Sequence, residues 1–240
     1  MLFRSRTNSY NIRDVQTDSG RPILRKIMTQ PKTPFLISLL VYTAILRMLP
    51  YLLMNCEIHT DMSVLYYPWN FNPLAAACLF GGAYLADRRL ALLVPLATLF
   101  VSDLGIWALS GRADWAFSRI TYVSFIGATL MGFLLRNAVR SQGSRGAIGR
   151  AIALGLTFEV LFFAVSNFAV WFNSSSRTPV LYPFTTAGLV ACYIAAIPFF
   201  AKSVIGTTAF TALLFSPLGV RASTEESSFE QGALVPVRVK

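Results

Sequence analysis

Three charged side chains lie well inside apolar stretches of this sequence: Arg47, Asp103 and Glu159. Charged groups in such stretches are costly, and they usually face a cavity or a polar partner. Arg47 and Asp103 fall at a similar depth and have opposite charges, so we expect them to pair. Such a pair either only fixes helix packing or forms part of a binding site. Glu159 has no partner at its level, which predicts that it is protonated or that it meets an arginine across the bundle.

Further polar side chains accompany the charged ones in the outer half of the apolar stretches. Asn70 and Asn72 precede the second stretch, and Asn167 and Trp171 lie on one helical face near the end of the fifth. Each also has a structural interpretation, as a helix cap, an interhelical hydrogen bond or an interfacial aromatic. Together they predict a pocket that opens outward and binds a small molecule. The candidate ligand-binding residues are Arg47, Asn70, Asn72, Asp103, Glu159, Asn167 and Trp171.

The composition indicates the class of protein in which these residues occur. Of 240 residues, 55% are hydrophobic and 13% are charged, about half of the roughly 25% charged residues of soluble domains. Three cysteines exclude a disulfide scaffold. The sequence therefore predicts a membrane protein. Its net charge of +10 indicates either a nucleic-acid partner or the sidedness of membrane loops.

The apolar stretches define the expected fold, because a helix needs about 20 apolar residues to cross a membrane. We predict an all-α integral membrane protein, a compact bundle of six transmembrane helices with a seventh short apolar segment. Polar tails over residues 1–33 and 220–240 would flank a bundle over 34–219. The predicted spans are 35–54, 73–86, 90–109, 120–135, 151–172 and 184–201, and the uncertain seventh segment is 203–218.

The positions of the basic residues favour sidedness over nucleic-acid binding. With the N-terminus in the cytoplasm, fourteen basic residues lie inside and three outside, as the positive-inside rule requires. The inner set includes a predicted loop over 136–150 and Lys202. We therefore expect a protein of the bacterial inner membrane that does not bind nucleic acid. A mitochondrial presequence is a weaker alternative, because Asp14 and Asp18 interrupt the basic tail.

The sequence gives little support for catalysis. It lacks the common hydrolase, metalloprotease and phosphate-loop motifs, and His59 is its single histidine. We expect a protein that is not an enzyme and that has no cofactor or metal. Small residues at helical spacing instead predict close helix packing, inside the bundle in preference to a face for a partner. These residues are Ala77 and Gly81 in the second span and Ala187, Ala191 and Ala195 in the sixth.

Several strings resemble an uncharacterised family of bacterial multi-span membrane proteins, whose members are similar to the substrate-binding S components of energy-coupling factor (ECF) vitamin transporters. The resemblance covers about residues 35–218. It implies a subunit that captures a small molecule from outside and associates with a coupling subunit and ATPases. The alternative is a structural or assembly subunit of a larger membrane complex, without a ligand. The strings include Arg47-Met48-Leu49-Pro50, Asn70-Phe71-Asn72-Pro73, Asp87-Arg88-Arg89, Ser102-Asp103, Ser166-Asn167-Phe168-Ala169-Val170-Trp171 and Ala191-Cys192-Tyr193.

Overall fold

The computed structural model describes residues 33–56, 70–174 and 180–223. All regular structure in these ranges is helical, which confirms the predicted all-α class. The helices are α1 (Thr33–Asn55), α2 (Leu74–Tyr84), α3 (Arg88–Ser110), α4 (Ala113–Ala116), α5 (Arg119–Leu134), α6 (Arg136–Ser174), α7 (Thr186–Leu214) and α8 (Pro217–Ser223). The predicted tails lie mainly outside the described residues.

Within the described ranges, five helical stretches are long and apolar enough to cross a membrane. They are Ile37–Asn55, Arg88–Ser110, Arg119–Ser141, Gly146–Ser174 and Thr186–Leu214. The exception is α2, which has 11 residues and is about 16 Å long at 1.5 Å per residue. That is about half of the ~30 Å hydrocarbon core. The expected six spanning helices are therefore not confirmed, because the second predicted span is a short helix.

The seventh predicted segment is not a separate helix. Residues 203–214 continue the sixth predicted span within α7, Thr186–Leu214, so the loop expected at Lys202 does not exist. Neither Lys202 nor Pro198 ends α7. A lone lysine can keep its charged end away from an apolar region while its stem stays there. The prediction failed because a basic residue between two apolar runs was interpreted as a turn.

The predicted inner loop over 136–150 is mostly helical, because these residues are assigned to α6, Arg136–Ser174, while the two membrane-length stretches of this region end at Ser141 and begin at Gly146. A polar sequence can form a helix without a membrane around it, since a helix satisfies its own backbone hydrogen bonds. The chain reverses between α5 and the later part of α6. Phe125 packs against Phe158, with ring centroids 5.3 Å apart, and Leu135 shares a core cluster with Ala151. These contacts make the two helices antiparallel.

The short helix α2 forms the centre of the bundle. Ten of its 11 residues are buried, and it contacts α3, α5, α6 and α7.

The start of α2 lies inside the bundle. Helices α1 and α3 end, and α5 begins, at the same end of the bundle, which we call the α4 end. We call the opposite end the α8 end. A side chain at Gly206 of α7 would meet the backbone of Phe71 and Asn72 at 3.3–3.4 Å. Gly206 precedes the last residue of α7 by eight positions, so α2 begins about 12 Å from the α8 end.

Two glycines allow α2 to approach α5 closely. A Cβ atom on Gly132 would lie 2.5 Å from the carbonyl oxygen of Leu79 and 3.0 Å from the Cα atom of Gly82. A Cβ on Gly82 would in turn clash with the backbone of Thr129 and Gly132. The two backbones therefore touch without side chains between them, as small residues permit in membrane helices.

The small residues that the sequence predicts to pack inside the bundle differ in the surfaces that they form. Ala77 and Gly81 face α1 and α3 rather than α5, and they line a narrow apolar cleft together with Leu39 and Pro95. In α7, the repeat Ala187, Ala191 and Ala195 is exposed, whereas Gly188, Cys192 and Ala196 are buried. The interpretation of the alanine repeat as an internal packing face is therefore wrong. Helical spacing defined the stripe but not the direction that it faces.

Candidate functional site

The expected ion pair between Arg47 and Asp103 is present and joins α1 to α3. Arg47 Nη2 donates to Asp103 Oδ1 at 2.5 Å, and Asp103 is fully buried. The other carboxylate oxygen, Oδ2, accepts a hydrogen bond of 2.8 Å from the Tyr122 hydroxyl of α5. Tyr122 is therefore a partner that the charge pattern did not predict, because its hydroxyl carries no charge. The acid ties three helices together.

The ion pair lies in the wall of a cavity of about 240 Å³. The Arg47 side chain is 17% exposed and lines this cavity, while Asp103 lies behind it and does not. The cavity occupies the space between the start of α2, which lies inside the bundle, and the α4 end, where Ala116 and Ser118 line it. Its polar residues include Arg47, Asn70, Asn72, Glu159, Ser203 and Thr207. Four of the seven predicted ligand-binding residues therefore meet here.

Asn70 and Asn72 shape the non-helical approach to α2. Asn70 adopts the left-handed region, with φ 63°, which asparagine tolerates better than most residues. Its carbonyl oxygen accepts the Asn72 backbone N–H at 3.0 Å. Asn72 Oδ1 accepts the Leu74 backbone N–H at 3.0 Å, although the N-cap position of α2 is Pro73, not Asn72. Both asparagines lie inside the bundle and not at its outer mouth, as the sequence had suggested, because α2 is short.

Glu159 has partners that the sequence did not predict. The side chain is 3% exposed, and its two oxygens accept hydrogen bonds from the Ser203 hydroxyl and, at 2.6 Å, from the Thr207 hydroxyl. Its described contacts thus include no arginine, contrary to one of the two expectations. Ser203 and Thr207 are four residues apart and share a face of α7. That spacing was the available signal, but the division of α7 at Lys202 concealed it.

A second cavity, of about 260 Å³, lies between α6 and α7. It contains Asn167, whose side-chain amide donates to the Phe163 carbonyl of its own helix at 2.8 Å. Four residues line both cavities, so the two are neighbours with Glu159 in their common wall. The shared residues are Asn70, Glu159, Phe162 and Ser203.

Trp171 lies apart from both cavities, unlike the three asparagines predicted for the pocket. Its indole N–H donates to the Pro183 carbonyl at 3.1 Å. Its ring stacks on Phe184, with centroids 4.5 Å apart and planes 10° from parallel. Trp171 therefore holds the end of α6 against the chain that leads into α7. In the described part of the chain, no group of three or more His, Cys, Asp or Glu side chains is placed to hold a metal ion.

Comparison with known proteins assigns the chain to a protein family. The model of a family of unknown function, DUF6580, matches residues 28–227. The chain belongs to the DUF6580 family. No curated protein and no solved structure matches the chain. The expected membership of an uncharacterised family is thus confirmed, while the matches provide no link to ECF transporters.

In this DUF6580 protein, a buried arginine holds the other end of α2. Arg136 donates from Nε to the Gly82 carbonyl at 2.8 Å and from Nη2 to the Leu85 carbonyl at 2.9 Å. Its guanidinium also lies over the Phe133 ring, 4.6 Å from the centroid. The sequence presented Arg136 only as one of the basic residues of the predicted cytoplasmic loop over 136–150. It satisfies carbonyl groups at the C-terminus of α2, where a positive charge is also favourable.

We expect Arg136→Gln to lower the free energy of unfolding of this DUF6580 protein by about 2 kcal/mol, because buried carbonyl groups lose charged hydrogen-bond donors. Arg150→Gln removes the same charge from an exposed position of α6, and it should change that free energy by less than about 0.5 kcal/mol. Denaturant titration of the purified proteins in mixed micelles measures both values. Equal effects of the two substitutions would show that only the charge matters and that α2 does not depend on the hydrogen bonds of Arg136.

Proposed function

We propose that this protein is a membrane transport subunit that captures a small molecule in the central cavity. The observation that carries the proposal is the short helix α2. Because α2 begins inside the bundle, it leaves a polar space among helices that are long and apolar enough to span a membrane. Irregular backbone is tolerated at membrane depth only where it is buried in protein or lines an aqueous cavity.

The energetics of the site support ligand binding over packing alone. The Nε atom of Arg47 is buried and has no hydrogen-bond partner among the described residues. A buried polar group without a partner is unfavourable, and the exposed part of the same side chain lines the cavity, where it can meet a ligand. Transporters also use broken helices near the middle of the membrane, with the start of a half-helix at the substrate site. The start of α2 at Asn72 has this placement.

The finer parts of the proposal come from the charge pattern and from the resemblance to ECF S components. The charge pattern puts the α4 end outside, so the cavity would take its ligand from outside the bacterial inner membrane. The sequence has no phosphate loop, and energy for uptake would come from partner subunits, such as a coupling subunit with ATPases. Transport direction and partners are thus parts of the proposal that a separate experiment must test.

Ligand binding is tested with the purified full-length protein in detergent and a panel of cationic, neutral and anionic metabolites. We expect at least one compound to raise the thermal unfolding temperature in a saturable manner. Thr121 lines the cavity, so Thr121→Tyr should abolish this effect by filling space. Val123→Tyr, in the same helix but 68% exposed, should leave it intact. The absence of any stabilising compound for the unchanged protein would overturn the proposal.

Gentle extraction followed by mass spectrometry tests the partners. Co-purification in fixed proportion with ATPase subunits supports a transport subunit. Co-purification in fixed proportion with a complex unrelated to transport, together with a negative ligand panel, would favour the assembly subunit instead.

A further inference from the structure

The charges around the central cavity are not balanced. Arg47 and Glu159 are the oppositely charged side chains that line it, and Arg47 already pairs with Asp103. Glu159 receives hydrogen bonds from two hydroxyl groups, which carry no charge. When ionised, its carboxylate thus adds a negative charge that no described lining residue neutralises. Burying a charge without a counter-charge is unfavourable, so without a ligand the Glu159 carboxyl is favoured in its protonated form. A ligand that brings a positive charge supplies the counter-charge that the ionised form lacks.

Aromatic rings surround the same space. Three of them pack together in and beside the turn of α6 that carries Glu159. The Phe125 ring lies 5.3 Å from that of Phe158 and 5.9 Å from that of Phe162, and the latter two rings are stacked 5.8 Å apart. The face of an aromatic ring attracts cations, and the attraction is stronger where water is excluded. The aromatic residues that line the cavity are Tyr51, Phe71, Phe125, Phe158 and Phe162.

We propose that the cavity binds an organic cation, a small molecule with a protonated amine or a quaternary ammonium group. Its positive end lies between the Glu159 carboxylate and the rings of Phe158 and Phe162. This inference rests on the proposed function, because it names the substrate class of the same site. A cavity of about 240 Å³ has the volume of about eight water molecules in the liquid. The ligand is therefore small.

The opposite wall indicates what the other end of the ligand carries. There, the exposed part of the Arg47 side chain lines the cavity, and α2 begins beside Asn72 with the positive end of its dipole. Both attract a group that accepts hydrogen bonds. An uncharged acceptor, such as a hydroxyl or carbonyl oxygen, meets this wall and keeps the net positive charge of the ligand. A carboxylate at this end would cancel the charge of the ligand and leave Glu159 unbalanced again. The site thus prefers a net cation over a zwitterion.

Three probes of nearly the same shape test this preference on the purified full-length protein. Choline has a quaternary ammonium and a hydroxyl, 3,3-dimethylbutan-1-ol replaces the ammonium nitrogen with carbon, and betaine has a carboxylate in place of the hydroxymethyl group of choline. We expect choline to raise the thermal unfolding temperature with a dissociation constant on the order of 1 mM, as suits a ligand of so few atoms. The alcohol and betaine should each bind about tenfold more weakly. Sodium chloride at equal concentration controls for ionic strength.

Two substitutions locate the cation. Glu159→Gln keeps the size of the side chain and should weaken choline binding by about tenfold without affecting the alcohol. Phe162→Leu keeps the wall apolar but removes a ring, and it should weaken choline binding by about fivefold. Phe168→Leu is the matched control in α6, since Phe168 is half exposed and packs on Trp171 and Phe172 outside the cavity. It should leave binding unchanged.

The failure of this inference is distinguishable from the failure of the proposed function. Binding of the alcohol or of betaine as tight as that of choline, or equal choline binding by Glu159→Gln, would overturn the organic-cation class. If a neutral or anionic metabolite then binds and Thr121→Tyr abolishes its binding, ligand capture stands with a different substrate. If no compound of any charge binds, both proposals fall.

Discussion

Arg47→Gln is expected to lower the free energy of unfolding by about 4 kcal/mol. The substitution removes the guanidinium that donates to Asp103 at 2.5 Å, and it leaves a fully buried carboxylate with the Tyr122 hydroxyl alone. Breaking a buried ion pair on one side is costly because the remaining charge has no counter-charge. Denaturant titration in mixed micelles provides the measurement.

The double variant Arg47→Gln, Asp103→Asn isolates the interaction between the two groups. We expect it to be more stable than the sum of the single effects predicts, by about 2 kcal/mol, because it leaves no buried charge unpaired. Tyr122→Phe is the control, since it removes one hydrogen bond but keeps the ion pair, and it should cost about 1 kcal/mol. Additive effects of the two single substitutions would contradict an energetically coupled pair.

Gly132→Ala is expected to lower the free energy of unfolding by about 3 kcal/mol. The added Cβ would lie 2.5 Å from the Leu79 carbonyl oxygen and 3.0 Å from the Cα atom of Gly82. Both neighbours are backbone atoms, which cannot rotate away as a flexible side chain can. The helices α2 and α5 must therefore separate, and contacts along their whole interface weaken.

Gly127→Ala is the matched control in the same helix, because a Cβ at Gly127 meets nothing within 4 Å. Alanine is also the better helix former, so this variant should be unchanged or more stable by up to about 1 kcal/mol. Thermal unfolding of the two variants side by side gives the comparison. A Gly132→Ala protein as stable as Gly127→Ala would show that α2 and α5 do not pack through their backbones.

The candidate site could be predicted where charge carried the information. Arg47 and Asp103 are conspicuous in apolar runs, and opposite charges at one depth indicate a pair. The hydroxyl partners Ser203 and Thr207 were missed because serine and threonine occur throughout membrane helices without a special role. Trp171 was misplaced for a different reason. Helical spacing shows which residues share a face, but only the tertiary packing decides which face meets the cavity.

The fold could be predicted to the level of apolar helices, but not to the lengths and limits of all of them. The predicted bounds 73–86 nearly match α2, Leu74–Tyr84. The sequence did not show that the turn before this helix lies inside the bundle, because that turn is held by hydrogen bonds of Asn70 and Asn72. Residues 136–150 were misjudged because polarity indicates contact with water and not the absence of a helix. The direction of the alanine repeat in α7 depends on its neighbours, which one sequence cannot show.

The glycine contact between α2 and α5 also limits how the molecule can move. The two backbones are already in van der Waals contact, so any sliding or separation of these two helices loses packing at once. That part of the cavity wall therefore behaves as a rigid body. Helices α1 and α7 are different, since only 11% of the membrane-length window of each is buried. Motions that admit or release a ligand at low energetic cost therefore involve the other walls of the cavity and not the wall formed by α2 and α5.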